Sequence, residues 1–407
     1  MAKPLAGLRV LDLCRVIAGP WSAQQLADLG AEVIKVERPG NGDDSRSWGA
    51  PFIRDRDGQD SWMTSYFSGV NRGKKSVTLD FGREEGRELL RRLVAQSDIL
   101  IENFRTGTLA RQGLGYDALK EINPRLIYCS ITGFGQTGPY AQDPGYDIVF
   151  QGLSGMMSIT GEPDGKPGAG PQKTGVSIVD VLGGLFATIG ILGALEHRRN
   201  TGHGQYIDIG LLDVAMASLV SMTNIYLASG VPPQRQGNAH PTVVPYQVFD
   251  TRDGQLIVAI LTEHHYQRLC ALLGCPELGT DPRFASVGAR NINRETLIPM
   301  LAQRFLERGS AEWFELLRAQ EIPCGPINDI AQAFADPQVR HRGMRVEIPH
   351  PELGSVPVVA SPIRYSETPV DYQVPPPRLG QDNHAIFREL VGLSEADCAR
   401  LAAAGII

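Results

Sequence analysis

Leu8-Arg-Val-Leu-Asp-Leu13, then Pro20 and Ala23 to Leu29, then Gly30, then Glu32-Val-Ile-Lys-Val36 is the stretch that decides the fold. Its first six residues form a short apolar run of buried-strand character. Pro20 suits the first turn of a helix, Ala23 to Leu29 continue that helix, and Gly30 stands where helices commonly stop. Glu32 to Val36 is a second strand. Strand, helix and strand at this spacing make a βαβ unit, with parallel strands and a right-handed crossover.

The pattern repeats downstream. Ser76 to Leu79 reads as a strand, and Arg83 to Gln96 as a helix with Leu89, Leu90, Leu93 and Val94 on one stripe. Asp98 to Ile101 is a strand, Leu109 to Ile122 a helix, and Arg125 to Ile131 a strand. After the turn-rich segments 133–144 and 161–171 comes a long apolar helix, roughly Ile178 to Arg199, ended by Asn200-Thr-Gly-His-Gly204. Gln205 to Ile209 is a strand and Leu212 to Ser229 a helix. This alternation predicts a doubly wound α/β domain.

From Val231 the texture changes. Tyr246 to Phe249 and Leu256 to Ile260 read as a hairpin around Asp253-Gly254. Helices are expected near Glu263 to Leu273, Arg294 to Arg308 and Ala311 to Ala319. A strand is expected at Ser355 to Val359, and a last helix near Asn383 to Val391. The expected organisation is a large domain over 1–229, a smaller α+β domain over 230–330, and a return segment over 331–407.

Composition narrows the class. The chain has 407 residues, 42% hydrophobic and 21% charged, which fits a globular protein. Its net charge of −6 argues against nucleic acid and anionic membrane as partners. The six cysteines form no C-x-x-C and no zinc spacing with histidine, so buried thiols in a reducing cytoplasm are expected, and no metal. The longest apolar stretch, Val176 to Leu195, holds Asp180 and four glycines, costly features in a membrane span of about 20 residues. It is expected to be a buried helix.

Several residues have the right chemistry for a site. The first strand-to-helix turn, Cys14-Arg-Val-Ile-Ala-Gly-Pro20, lacks the dinucleotide pattern G-x-G-x-x-G. Arg38, Arg105 and Arg111 follow strand ends, where an open α/β sheet binds ligands. They either converge on a polyphosphate or are solvated surface charges. Asp180 is either a first-turn carboxylate that complements a helix dipole or a partly dehydrated nucleophile with glycines nearby. His240 lies in Gly237-Asn-Ala-His-Pro-Thr242, either a substrate lid or a turn.

Several blocks in order carry a resemblance. They are Pro4 to Leu13, Ala18-Gly-Pro20, Leu29 to Gly40, Ile101-Glu-Asn-Phe-Arg105, Asn123 to Ile127, Thr132-Gly-Phe-Gly135, Gly190 to Glu196 and Ile322 to Ile327. In these the sequence resembles the class III CoA-transferases over essentially its whole length. That group includes formyl-CoA, carnitine-CoA and succinyl-CoA-dependent transferases and the related α-methylacyl-CoA racemases. The resemblance implies a CoA-binding α/β domain built from both chain ends, a smaller inserted domain, and an interlocked homodimer.

It also implies roles for residues. Asp180 falls on the catalytic aspartate. Ile17 and Ala18 fall on the CoA-contacting pair, and Arg38 near the adenosine end. Leu79 and Asp80 fall on one lining segment, and Asn103, Phe104 and Arg105 on another. Arg111 falls on a phosphate-side arginine, and Tyr146 and Asp147 on a pair flanking the thioester. No permanently bound cofactor is implied; CoA thioesters are co-substrates. Formyl-CoA transferases carry glutamine at the position of Ile17 and a glycine-rich loop in the small domain, and racemases carry histidine at the position of Tyr146. The segment from Asn238 to Gln247, with His240 and Thr242, resembles the succinyl-CoA:dicarboxylate, glutarate-type branch. The expected reaction is transfer of CoA from succinyl-CoA to a dicarboxylate. An acyl-CoA racemase, a hydrolase and a non-catalytic CoA-binding scaffold are the alternatives.

Overall fold

The computed structural model describes residues 2–407. Six strands form one parallel sheet: β1 Arg9–Asp12, β2 Glu32–Glu37, β3 Lys74–Thr78, β4 Ile99–Glu102, β5 Ile127–Thr132 and β6 Tyr206–Gly210. Their order is β3-β2-β1-β4-β5-β6. The register follows side-chain alternation. Val10 lies beside both Val33 and Ile99, and these three residues enter one apolar core with Ile101, Ile127, Cys129 and Ile131. Leu11, Ile34, Val36, Val77 and Leu100 enter a second core. With both faces covered, the strands are near-continuous apolar runs rather than alternating ones.

This order reverses direction between β1 and β4. The loops that follow these two strands therefore separate and leave a crevice at the carboxyl edge of the sheet. Helices α1 Ala18–Asp28, α2 Glu84–Ala95, α3 Asp147–Leu153 and α4 Ile178–Thr201 border the sheet and the crevice. The α1–α4 approach is close. A Cβ on Gly184 would sit 2.5 Å from the Ala18 carbonyl oxygen, so only glycine permits this spacing, one turn along the helix from Asp180.

The chain forms two compact units. One comprises 2–156, 174–227 and 338–407. Its C-terminal portion returns to β3: Asp382 N–H donates to Ser76 O at 2.9 Å, and Asp80 N–H donates to Ile406 O at 2.8 Å. The other comprises 157–173 and 228–337. In it, Tyr246–Asp250 pairs antiparallel with Gln255–Ala259, which also pairs with Cys324–Pro326. Helices Glu263–Leu272, Arg294–Phe305 and Ser310–Ala319 pack on this sheet through Phe249, Leu256, Tyr266, Phe305 and Trp313.

Several elements differ from the sequence expectation. The helix expected over Leu109 to Ile122 is two, Thr108–Arg111 and Tyr116–Ile122. Gly113 turns to φ +69 between them. The helix expected over Leu212 to Ser229 breaks into Leu211–Ser218 and Ser221–Ser229, bent by 76°, with Val220 at φ +41. A further helix, Glu395–Ala403, follows the expected last one and is closed by a Ser394–Asp397 capping box. Finally, α4 is not buried all round. Val179, Gly183, Gly184, Ala187, Ile191 and Ala194 face the core, whereas Leu185, Phe186, Ile189 and Leu192 are exposed. This helix has the length and hydropathy of a membrane span, but its buried stripe and its packing on α1 and the sheet are those of a core helix. The six cysteines are free thiols.

Candidate active site

The site is built from the turn after β1. Here Cys14 N–H donates to Asp12 Oδ1 at 3.0 Å. Arg15 N–H donates to Asn103 Oδ1 at 3.0 Å, and Asn103 Nδ2 donates to Arg15 O at 2.9 Å. Asn103 lies just past β4, so one amide side chain bridges the two strands where the sheet order reverses. The turn leads directly into α1, whose first residue is Ala18.

A cavity of about 330 Å³ opens at this edge. Ile17, Ala18, Asn103, Phe104, Arg105, Tyr146 and Asp180 all line it. A second cavity of about 300 Å³ carries Arg38, Leu79 and Asp80. Arg15 and Phe104 line both cavities, so the two adjoin. Arg15 and Arg38 each reach Asp44 at 3.0 Å, and the Arg15 guanidinium stands 5.7 Å from the Phe104 ring centre. The second cavity thus offers cations and an aromatic face, while the first offers a carboxylate.

Four predicted residues, Arg111, Asp147, His240 and Thr242, lie in neither cavity. Arg111 is exposed and donates to Thr108 Oγ1 at 3.3 Å. Asp147 sits behind the first cavity and caps α4. Its Oδ1 accepts the N–H groups of Val179 and Asp180 at 2.8 and 3.2 Å, and Gln151 Nε2 donates to its Oδ2 at 2.5 Å. His240 and Thr242 belong to the other compact unit. Arg15, Val16 and Asp44 were not singled out from sequence. For Arg15 the signal was present, since it follows a strand end as Arg38 does. For Asp44 there was none, because its two partners meet only in three dimensions.

Asp180 is half-buried at the start of α4. Among the described residues, no side chain or backbone N–H donates to its carboxylate. Burial, and next the nearby Asp147 carboxylate, push its pKa from the ordinary 3.8 to about 7. A carboxylate short of hydrogen bonds and partly dehydrated is a better nucleophile than a solvated one. A nucleophilic role for Asp180 would use its ionised form, so kcat/KM would then rise with pH through about 7 and level off above, with one ionisation. A flat profile across that region would show that Asp180 does not control the reaction. The same shift affects stability. The contribution of Asp180 to stability is full below about pH 4 and is lost as pH rises to about 7.

Comparison with known proteins agrees with this geometry. A family model described as CoA-transferase family III matches residues 5–383. The succinate–glutarate CoA-transferase of Agrobacterium fabrum is 46% identical over 95% of this chain and 96% of that protein. The human succinyl-CoA:glutarate CoA-transferase is 40% identical over 100% of this chain and 90% of that protein. The crystal structure of a CAIB/BAIF family protein from Brucella suis superposes with a TM-score of 0.84 at 46% identity, covering 96% of this chain and all of that one. The chain belongs to CoA-transferase family III, and it is a CoA-transferase.

Proposed function

We propose that this enzyme moves CoA from succinyl-CoA to a dicarboxylate such as glutarate, with Asp180 as covalent nucleophile. The observation that carries the mechanism is the Asp180 carboxylate, undonated and half-buried, in a cavity shared with the start of α1. The substrates follow from what the relatives named above are called. Asp180 attacks the donor thioester, forming a mixed anhydride and CoA thiolate. The thiolate attacks the Asp180 carbonyl, leaving an aspartyl-CoA thioester and releasing the donor acid. The acceptor carboxylate attacks that thioester, forming a second anhydride and freeing the thiolate. The thiolate then takes the acceptor acyl group and restores Asp180. Each step conserves the energy of the thioester. We assign the cation-rich cavity with Arg15 and Arg38 to the nucleotide end of CoA. Tyr146, not a histidine, stands at the cavity position that the resemblance gives to a racemase base, and a phenol is poorly matched to removing an α-proton near neutral pH.

His240 is assigned to the second carboxylate of the dicarboxylate. Its Nδ1 accepts the N–H groups of Thr242 and Val243 at 3.2 and 3.1 Å. The neutral ring therefore carries its proton on Nε2, which is left as a donor. His240→Ala is expected to lower kcat/KM for glutarate by about 10- to 100-fold, the worth of one hydrogen bond to a charged group. Monocarboxylate acceptors should change far less. A panel of acceptor acids with succinyl-CoA, read by product mass, measures both effects. Equal losses for the two kinds of acceptor would remove this role.

The doubly wound fold is proposed to assemble as an interlocked homodimer. The support is the exposed apolar face of α4, with Ile189 at 64% exposure; Leu153, Met216 and Leu227 are exposed as well. Exposed apolar surface on this scale suits an interface. Linked rings cannot part without unfolding, so sedimentation is expected to give twice the chain mass at every folded concentration. A folded monomer on dilution would exclude it. The free thiols suit a cytoplasmic location.

A further inference from the structure

Val16 lies in the turn between β1 and α1 and lines the Asp180 cavity, yet its backbone is at φ +73. A β-branched residue rarely adopts this left-handed conformation, which persists only where the surroundings impose it. Here they do. The Asp43 carboxylate accepts the Val16 N–H at 3.1 and 3.3 Å through its two oxygens. Asp43 is itself fixed. Its Oδ2 lies 2.8 Å from Lys35 Nζ, its Oδ1 accepts Ser45 N–H at 2.9 Å and Ser45 Oγ–H at 2.8 Å, and its N–H donates to Glu37 Oε1 at 3.1 Å. Lys35 also donates to Cys14 O at 2.9 Å, so it grips the same turn two residues earlier. The Lys35 and Asp43 side chains are fully buried.

The next two residues show what this clamp serves. Ile17 and Ala18 line the same cavity. No side chain caps α1, and among the described residues no protein acceptor meets the N–H of Ile17 or Ala18. Two unpaired backbone donors thus stand at the cavity in which Asp180 would form oxyanions, and the Val16 backbone sets the course of the chain that leads into them. Such donors act only if they are held in place beforehand.

We propose that Asp43, held by Lys35, is a positioning residue: it imposes the left-handed backbone of Val16 and so aims the Ile17 and Ala18 N–H groups at the reacting carbonyl. This rests on the reading of Asp180 as the reacting group. Glycine adopts φ > 0 without steric cost, so Val16→Gly should relieve the need for the clamp. Asp43→Asn is expected to lower kcat by about 10- to 100-fold. The KM for succinyl-CoA should stay within about threefold. Adding Val16→Gly should recover kcat about tenfold without raising the melting temperature. Lys35→Met with Asp43→Asn removes both buried charges, and it is expected to fold and show the same loss and the same rescue. An unchanged kcat in Asp43→Asn, a loss that Val16→Gly leaves in place, or a recovery that follows melting temperature would overturn the proposal. So would failure of both the single and the paired variant to fold, since the pair would then serve only stability. Asp180→Ala is measured alongside. Transfer retained there removes the Asp180 reading itself, whereas loss there without an effect of Asp43→Asn removes only the clamp.

Discussion

Asp180→Ala is expected to lower kcat by at least about 10³-fold, because the route through an enzyme-bound thioester loses the atom that forms it. The folded state should not suffer. The group is half-buried without a donor, and its carboxyl is pushed to about 7, first by burial and then by Asp147. Its removal relieves the cost of holding a charge there. The variant's melting temperature, compared with the parent's, should therefore gain as pH rises from about 4 to about 7. Loss of activity together with gain of stability is the mark of a strained functional group. Mass spectrometry of the parent enzyme with succinyl-CoA should show an adduct on Asp180. Turnover retained by the alanine variant would end the mechanism.

The second large effect lies beneath the site. Four charges are fully buried under the β1–α1 turn: Asp12, Lys35, Asp43 and Lys74. Lys74 Nζ donates to Asp12 Oδ2 and Asn71 Oδ1 at 2.8 Å and to Pro20 O at 2.9 Å. Burial lowers its pKa, and although Asp12 opposes this, it falls to about 8. Burial also works against Lys35, but Asp43 and Asp12 outweigh it and hold the ammonium firmly protonated. Burial raises Asp43, yet Lys35 and the Ser45 donors bring it to about 2. Lys35→Met would leave the Asp43 carboxylate buried without its cation and Cys14 O without its donor. Such a break is expected to cost about 3–5 kcal/mol, measured by chemical denaturation. Asp43→Asn added to it should return part of that loss, because the two residues interact directly. A change below about 1 kcal/mol for Lys35→Met would show that the network is not what holds the turn.

The alternation of Leu8–Leu13, Ala23–Leu29 and Glu32–Val36 determined the parallel sheet from sequence alone, because the side-chain periods of strand and helix are local properties. The hairpin around Asp253-Gly254 was legible for the same reason. The blocks around Ala18-Gly-Pro20, Ile101 to Arg105 and Gly190 to Glu196 carried the family. Local signals also misled. The run Leu109 to Ile122 keeps a helical pattern, yet Gly113 and Gly115 break it, because a Cβ on Gly115 would sit 2.9 Å from the Ala110 backbone. Val176 to Leu195 reads as buried from its composition, but composition cannot say which stripe meets a neighbour. Only the tertiary structure decided that Asp147 caps α4 from behind the cavity, that Arg15 and Arg38 share Asp44, and that Asp43 imposes the backbone of Val16. Each involves at least one pairing across many residues of chain, in one case 33 residues apart. Such pairings depend on where the sheet and helices bring distant segments together, and no spacing along the chain records them.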